Sequence, residues 1–114
     1  MSGDCSPAKT ARIRELNDQL RCKATGGQIV ITRGIQALGT GGVCQVLAAV
    51  AQFDNFTEDN DPWGEHDCAV LEVEGRRVIF KVDYYDADLR WHSPDAGDPQ
   101  VTRRVMTVML AEEY

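Results

Sequence analysis

The chain has 114 residues, 43% of them hydrophobic and 26% charged, with a formal net charge of −6. This length and composition are ordinary for one globular domain with a modest core, and we expect a single domain over residues 1–114. No apolar run approaches the ~20 residues of a membrane span, and the first residues lack the apolar core of a secretory signal; we therefore expect a cytoplasmic protein with no membrane partner.

The first predicted element is a helix over residues 7–24. Ser6 is a suitable N-cap, and Pro7 is well placed as the first helical residue. Apolar side chains recur at helical spacing, and a glycine pair ends the pattern. That stripe consists of Ile13, Leu16 and Leu20, and the other face carries Arg12, Arg14 and Arg21.

A strand and a second helix are predicted next. The β-branched run QIVITRGI predicts a strand over residues 28–35. Residues 41–53 repeat valine and leucine at helical spacing, and Thr40 can cap that helix.

A β-hairpin is predicted over residues 66–85, with Glu74 and Gly75 as its two central turn residues. This turn sets a register in which Leu71 lies opposite Val78 and Ala69 opposite Phe80. Because strand side chains alternate between faces, those four residues should share the core side of the sheet.

The last predicted element is a helix over residues 99–113, capped by Asp98 with Pro99 at its first position. Its apolar stripe would consist of Val101, Val105, Met106, Met109 and Leu110. The predicted order is α-β-α-β-β-α, which indicates a small α+β domain with a three-stranded sheet and helices mainly on one face.

Charge is distributed unevenly along the chain. Residues 54–98 carry thirteen carboxylates against four basic side chains, whereas residues 1–53 have a positive balance. Two acidic loops flank the hairpin, each with a tryptophan, and aromatic anchors inside a charged rim are typical of protein interfaces. The predicted partner-binding residues are Glu58, Asp59, Asp61, Trp63, Glu65, Asp67, Asp86, Asp88 and Trp91. The plain alternative is that both tryptophans fill the core and the charges are simply solvated.

Acid/base catalysis or metal binding at the first acidic loop is the alternative to a protein-binding surface. Extending the hairpin register places His66 opposite Asp83, which favours a structural polar pair over a general-base device because no motif supplies a nucleophile. A looser magnesium or manganese site would use the carboxylates Asp61, Glu65, Asp67 and Asp83, the minimum for a metal-assisted hydrolase or nuclease. With His66 added, the residues of that enzyme would be Asp61, Glu65, His66, Asp67 and Asp83. The loop does not fit a calcium-binding pattern, so no metal or other cofactor is predicted.

The four cysteines, Cys5, Cys22, Cys44 and Cys68, contain no CxxC pair. With only two histidines in the chain, this spacing does not indicate a structural zinc site. We expect reduced thiols, mostly small buried apolar groups.

Two long patterns resemble a known family. NDPxGEHD and DYYDxDLxxxSPDxxDPxVTRRVxTxMLAxEY, within a likeness from about Ile29 to Tyr114, resemble small proteobacterial proteins known only as a domain of unknown function. Members usually carry Phe-Gly where this chain has Cys68-Ala69. The resemblance brings no catalytic residue. It implies a small stand-alone protein, often encoded on plasmids and other mobile elements, and so favours proteins that act against host defence, including anti-CRISPR inhibitors.

These observations predict a non-enzymatic interaction protein whose acidic loops bind a basic protein or nucleoprotein complex. A CRISPR effector, which handles nucleic acid, would be such a partner, and the protein would compete with that nucleic acid. The metal-assisted hydrolase or nuclease is the alternative. Direct nucleic-acid contact through Arg12, Arg14 and Arg21, or through Arg103 and Arg104, is opposed by the acidic remainder of the chain.

Overall fold

The computed structural model describes residues 7–114, which form three α-helices, four strands and a final 3-10 helix. The elements are α1 (Pro7–Lys23), β1 (Gln28–Ile31), α2 (Arg33–Gln36), α3 (Gly39–Gln52), β2 (Cys68–Val73), β3 (Arg76–Tyr85), β4 (Arg103–Leu110) and a final 3-10 helix (Ala111–Glu113). The four strands form one sheet in the order β1-β4-β3-β2. β1 runs parallel to β4, and the other two pairs are antiparallel. The fold is therefore α+β.

The predicted last helix is wrong, and with it the three-stranded sheet. Residues 103–110 form β4, which lies between β1 and β3 and completes a four-stranded sheet. A strand that has neighbours on both sides, and whose two faces are partly covered, carries apolar residues at most positions instead of at every second one. The valines and methionines of β4 therefore also fit helical spacing. The β-branched residues Val105, Thr107 and Val108 were the available signal for a strand. Asp98 instead accepts a hydrogen bond from the Gln100 N–H (2.9 Å) within a loop.

The earlier elements lie close to their predicted positions. α1 begins at Pro7, while its predicted N-cap, Ser6, lies outside the described residues. β1 ends at Ile31, because residues 33–36 form the short helix α2. α3 begins at Gly39 with Leu38 as its N-cap residue, so Thr40 is not the cap.

The hairpin has the predicted register. Leu71 pairs with Val78 and Ala69 with Phe80. The turn residues Glu74 and Gly75 both have positive φ angles, 50° and 77°. Positive φ at both central positions is the geometry of the tight turn that matches strand twist in a two-residue hairpin.

The core lies between the helices and one face of the sheet. Phe80, Val78 and Val108 of the central strands are fully buried and pack in one cluster with Leu20 of α1 and Val50 of α3. Alternate residues point to the other face, where Val70 keeps 46% of its surface exposed and Val30 of β1 keeps 45%.

Arg21 was expected on the outer face of α1, and the structure corrects this. Its side chain is buried, and Nη1 donates hydrogen bonds to the carbonyls of Val50 (2.9 Å), Ala51 (3.2 Å) and Phe53 (2.7 Å). These carbonyls belong to the end of α3, where backbone acceptors lack helical partners. Nη2 pairs with Asp18 at 3.0 Å. The guanidinium therefore caps α3 from α1.

The C-terminal end is attached to the loop after β1. The Glu113 carboxylate accepts hydrogen bonds from the Thr32 hydroxyl (2.6 Å) and from the N–H groups of Gly34 (2.9 Å) and Leu110 (2.9 Å). These donors lower the pKa of Glu113, the Thr32 hydroxyl contributing most. The contact joins the residues after β4 to those after β1, its parallel neighbour.

Two further observations concern the described part of the chain. Cys22, Cys44 and Cys68 are free and exposed, so the expectation of buried thiols is wrong for these three, and Cys5 lies outside the described residues. Within residues 7–114, no helix combines the length and the apolar character needed to cross a membrane.

Candidate functional site

The two acidic loops meet at the end of β3. The first, residues 54–67, enters the hairpin, and the second, residues 86–98, leaves it. The second loop folds back on the strand it leaves: the Ser93 N–H donates to the Tyr84 carbonyl (2.9 Å), and His92 bridges to Tyr85. Tyr84 and His92 also contact each other edge-on, with ring centroids 6.2 Å apart.

Two grooves open around this junction. The Trp63 groove, of about 380 Å³, is lined by Trp63 and Glu65 from the first loop and by residues 92–96 of the second. The Trp91 groove, of about 420 Å³, is lined by Trp91 from the second loop and by Asp67 and Asp83. Tyr84 and His92 contribute to both grooves, so the grooves share a wall.

Both tryptophans are on the surface. Trp63 is 73% exposed and Trp91 74%, so neither fills the core. Three of the predicted partner-binding carboxylates are also exposed: Glu58, Asp59 and Asp88. The structure therefore brings the two tryptophan-bearing loops side by side, with part of their charge facing solvent.

Other predicted carboxylates organise their own loops. Asp61 is buried, 8% exposed, and accepts a hydrogen bond from the His66 N–H at 3.2 Å. Asp86 accepts from the N–H groups of Asp88 (3.2 Å) and Arg90 (3.0 Å), and the Arg90 bond contributes most to lowering its pKa. Aspartate side chains in turns commonly accept such hydrogen bonds from nearby backbone N–H groups. Asp61 is consequently not part of the exposed acidic surface.

The predicted His66–Asp83 pair does not form. His66 has a positive φ of 55°, which turns the chain out of strand geometry just before β2. Its Nδ1 lies 2.9 Å from Asp18 and its Nε2 3.7 Å from Asp61, whereas Asp83 pairs with Lys81 at 3.2 Å. The imidazole also stacks on Phe56, with centroids 3.8 Å apart. His66 thus attaches the first loop to α1.

One face of α1 holds the backbone of the first loop. Arg14 Nη1 donates to the Gly64 carbonyl (2.9 Å), and Asn17 Nδ2 donates to the Glu65 carbonyl (3.0 Å). Asp18 lies 2.9 Å from the His66 imidazole. Three residues on one face of α1 therefore contact three consecutive residues of the loop. Arg14 and Arg21 thus have internal acceptors, which disfavours nucleic-acid contact by these arginines.

A buried polar relay lies behind the Trp63 groove. Arg104, 2% exposed, donates from Nε to Asn17 Oδ1 (2.6 Å), and its Nη2 donates to the Ala96 carbonyl. Asn17, fully buried, donates to the Tyr84 hydroxyl (2.7 Å), which in turn donates to Glu65 Oε1 (2.9 Å). Burial raises the pKa of Tyr84, so the phenol stays protonated as a donor. The relay fixes the orientation of the Glu65 carboxylate.

Glu65 and Asp67 are partly buried, and Glu65 is compensated only in part, by the Tyr84 hydrogen bond and by the charge of Arg104. Neither forms an ion pair with any residue in the range 7–114. Burial raises the pKa of Glu65, and Asp67 and Asp61 raise it further. Burial also raises the pKa of Asp67, with added repulsion from Asp61 and Asp83. The ionised forms of these two carboxylates are therefore disfavoured at the floors of the grooves.

The carboxylates predicted as the alternative metal site are engaged separately. Asp61 serves its own loop, Asp83 pairs with Lys81, and Glu65 is held by Tyr84. No three or more His, Cys, Asp or Glu side chains in the described part of the chain are grouped so that they could hold a metal ion. The metal-assisted hydrolase or nuclease thus gains no support from the geometry of these residues.

Residues 31–113 match the family described as "Protein of unknown function (DUF3768)". The chain belongs to this family. No curated protein and no solved structure matches the chain. The matched residues run from the end of β1 to the final 3-10 helix, and they include both acidic loops and the hairpin. α1, which holds the first loop through Arg14 and Asn17, precedes the matched range.

The sequence does not predict two residues of the buried polar relay: Asn17 on α1, and Arg104 within the range that matches the family. Asn17 follows Leu16 and lies between Ile13 and Leu20 on the buried stripe, and a polar residue on an apolar helical face was the available signal. Arg104 was missed because residues 99–113 were assigned to a helix. On a strand it alternates with Val105 and shares a face with Met106. The exposure of the tryptophans had no signal in the sequence.

Proposed function

We propose that the protein is a non-enzymatic interaction protein, which presents its two tryptophan-bearing acidic loops to a basic partner that handles nucleic acid. A CRISPR effector is the partner class that we propose, because the family resemblance favours proteins that act against host defence. The protein would occupy the partner's nucleic-acid site and compete with the nucleic acid for it.

The observation that carries this proposal is the exposure of both tryptophans on adjacent loops. Large aromatic side chains at about three-quarters exposure are costly to leave in water, and clustered ones mark interaction sites on soluble proteins. Trp63 and Trp91 border grooves that share Tyr84 and His92. Tryptophan is enriched among the residues that dominate interface energies.

Charge supports the choice of a basic partner. Residues 54–98 carry most of the carboxylates of the chain, and Glu58, Asp59 and Asp88 of this segment are exposed. Carboxylates can pair with the lysines and arginines that otherwise neutralise phosphates, and indole rings can occupy sites where bases stack on protein. An acidic surface with two aromatic groups can thus take the place of a single-stranded nucleic-acid segment.

The test is competitive binding to an RNA-guided effector. The chain is immobilised, and effector binding is measured by interferometry with and without target DNA across a salt series. We expect affinity to fall with rising salt and with added DNA. The double variant Asp59→Lys/Asp88→Lys should weaken binding by more than about tenfold, as expected when like charges meet across an interface.

The matched control is Glu72→Lys/Glu112→Lys, which changes the net charge equally at two exposed positions outside the loops. It should leave the affinity within about twofold, because screened charges far from an interface contribute little. Binding that is insensitive to salt and equal for both double variants would exclude the acidic loops as the docking surface. So would binding that is unaffected by saturating DNA.

A further inference from the structure

The Trp63 groove contains a carboxylate that is fixed in position yet unpaired. Glu65 Oε1 accepts the Tyr84 hydroxyl at 2.9 Å, and Tyr84 is itself held by buried Asn17 at 2.7 Å. Arg104, behind Asn17, is too deeply buried to meet a ligand in the groove. The carboxylate therefore lines the groove with an orientation set from the protein interior, and it forms no ion pair with any residue in the range 7–114.

Three aromatic side chains, Trp63, Tyr84 and His92, line this groove together with Glu65. Lys9 and Asp95 also belong to its lining. Lys9, at the rim, pairs with Asp95 at 3.0 Å. A positively charged group placed beside Glu65 would thus meet a carboxylate and the face of an aromatic ring together, a combination that attracts cations.

We infer that the Trp63 groove binds an arginine side chain, with Glu65 pairing the guanidinium and Trp63 stacking on its plane. The inference rests on the proposed function and deepens it, because the arginine would belong to the basic partner. The pKa of Glu65, which burial raises despite the Tyr84 hydrogen bond and the charge of Arg104, supports it: an incoming cation would add to this partial compensation.

The geometry favours arginine over lysine. A guanidinium is planar and weakly hydrated, so it can stack on an indole while its N–H groups pair with a carboxylate. The lysine ammonium is a compact, strongly hydrated point charge, so it loses more hydration than a guanidinium when it enters the groove. The groove, of about 380 Å³, has room for one such side chain.

The test uses small probes on the full chain. In a Trp91→Phe background, Trp63 is the single tryptophan, and its fluorescence is followed during titration with N-acetyl-arginine methylamide. We expect saturable binding with a dissociation constant on the order of millimolar, as suits a fragment of this size. The lysine analogue should bind at least several-fold more weakly, and the neutral citrulline analogue should not saturate.

Glu65→Gln tests the carboxylate, since glutamine keeps the size of the side chain and can still accept the Tyr84 hydrogen bond. It should weaken arginine binding by at least about tenfold, the range of a charge-assisted hydrogen bond. Glu72→Gln, an exposed carboxylate on β2, is the matched control and should leave binding unchanged. Equal binding of arginine and citrulline, or full binding by Glu65→Gln, overturns the inference. Absence of any arginine binding to the Trp91→Phe protein does so as well.

Failure of this inference can be separated from failure of the proposed function. If an effector binds the chain with salt dependence but Glu65→Gln has no effect on that binding, the docking surface stands and the arginine groove is wrong. If the arginine probe binds through Glu65 while no effector binds, the groove is correct and the proposed partner is wrong.

Discussion

α1 contacts two regions that treat charged groups differently: the helix junction with α3, and the loop end, where the first acidic loop contacts Arg14, Asn17 and Asp18. At the helix junction between α1 and α3, Arg21 is buried, and its guanidinium has carbonyl and carboxylate acceptors. At the loop end, Glu65 and Asp67 are partly buried and have no ion pair among residues 7–114. Both regions place charge away from water, yet Arg21 has a direct ion-pair partner, whereas Glu65 is compensated only in part, by the Tyr84 hydrogen bond and the charge of Arg104.

The difference indicates which region serves stability and which is available for binding. Burial of a charge is costly unless hydrogen bonds or an opposite charge replace the water that it loses. The helix junction meets that requirement with backbone carbonyls, which hold two helices together. The loop end leaves part of this cost in place at the grooves beside Trp63 and Trp91, where an external cation can reduce it further.

The largest expected effect is at the helix junction. Arg21→Met keeps a long apolar stem but removes every donor, so three carbonyls at the end of α3 and the Asp18 carboxylate lose a partner. We expect the free energy of unfolding to fall by about 3 kcal/mol, the scale of breaking a buried charged network. Urea denaturation followed by circular dichroism measures it.

Arg12→Met is the matched control for that change. Arg12 lies two turns earlier on α1, where it is exposed and pairs with Glu15. Exposed pairs of this kind contribute at most about 0.5 kcal/mol, so the unfolding midpoint should barely move. If both variants lose the same stability, Arg21 is not a special anchor and the contrast between the two regions does not hold.

How far the sequence predicts this molecule depends on whether the signal is local. The hairpin register followed from Glu74-Gly75, and α1 followed from the Ile13, Leu16 and Leu20 stripe, because turn chemistry and periodicity act over a few residues. β4 was missed because its identity depends on β1 and β3, which cover it from both sides. The two acidic loops follow from composition, whereas their division into internal and exposed carboxylates depends on contacts with α1 that no local pattern encodes.

Glu113 is a compensated carboxylate, and its removal should lower stability. Glu113→Gln removes the charge that is stabilised by Thr32, Leu110 and Gly34. Because the folded-state pKa lies below the ordinary glutamate value of 4.5, this contribution is complete above the unfolded-state pKa and is lost as pH falls through the folded-state pKa. We expect a Tm a few degrees below wild type at pH 7 and no difference in strong acid. A gap that persists in acid would mean that lost hydrogen bonds, and not charge, cause the change.

Neutralising Asp67 should change the Tm in the opposite direction to the Glu113 substitution, and by the smallest amount of the three changes. Its folded-state pKa lies above the ordinary aspartate value of 3.8 because of burial and repulsion from Asp61 and Asp83. A raised carboxyl pKa means that ionisation opposes folding at neutral pH and that this penalty disappears as pH falls below the unfolded-state pKa. Asp67→Asn should therefore raise the Tm slightly at pH 7 and match wild type near pH 3, as measured by thermal melts across pH. A lower Tm at pH 7 would show that the chain already compensates this carboxylate, and the grooves would then lack the unmet charge on which the contrast rests.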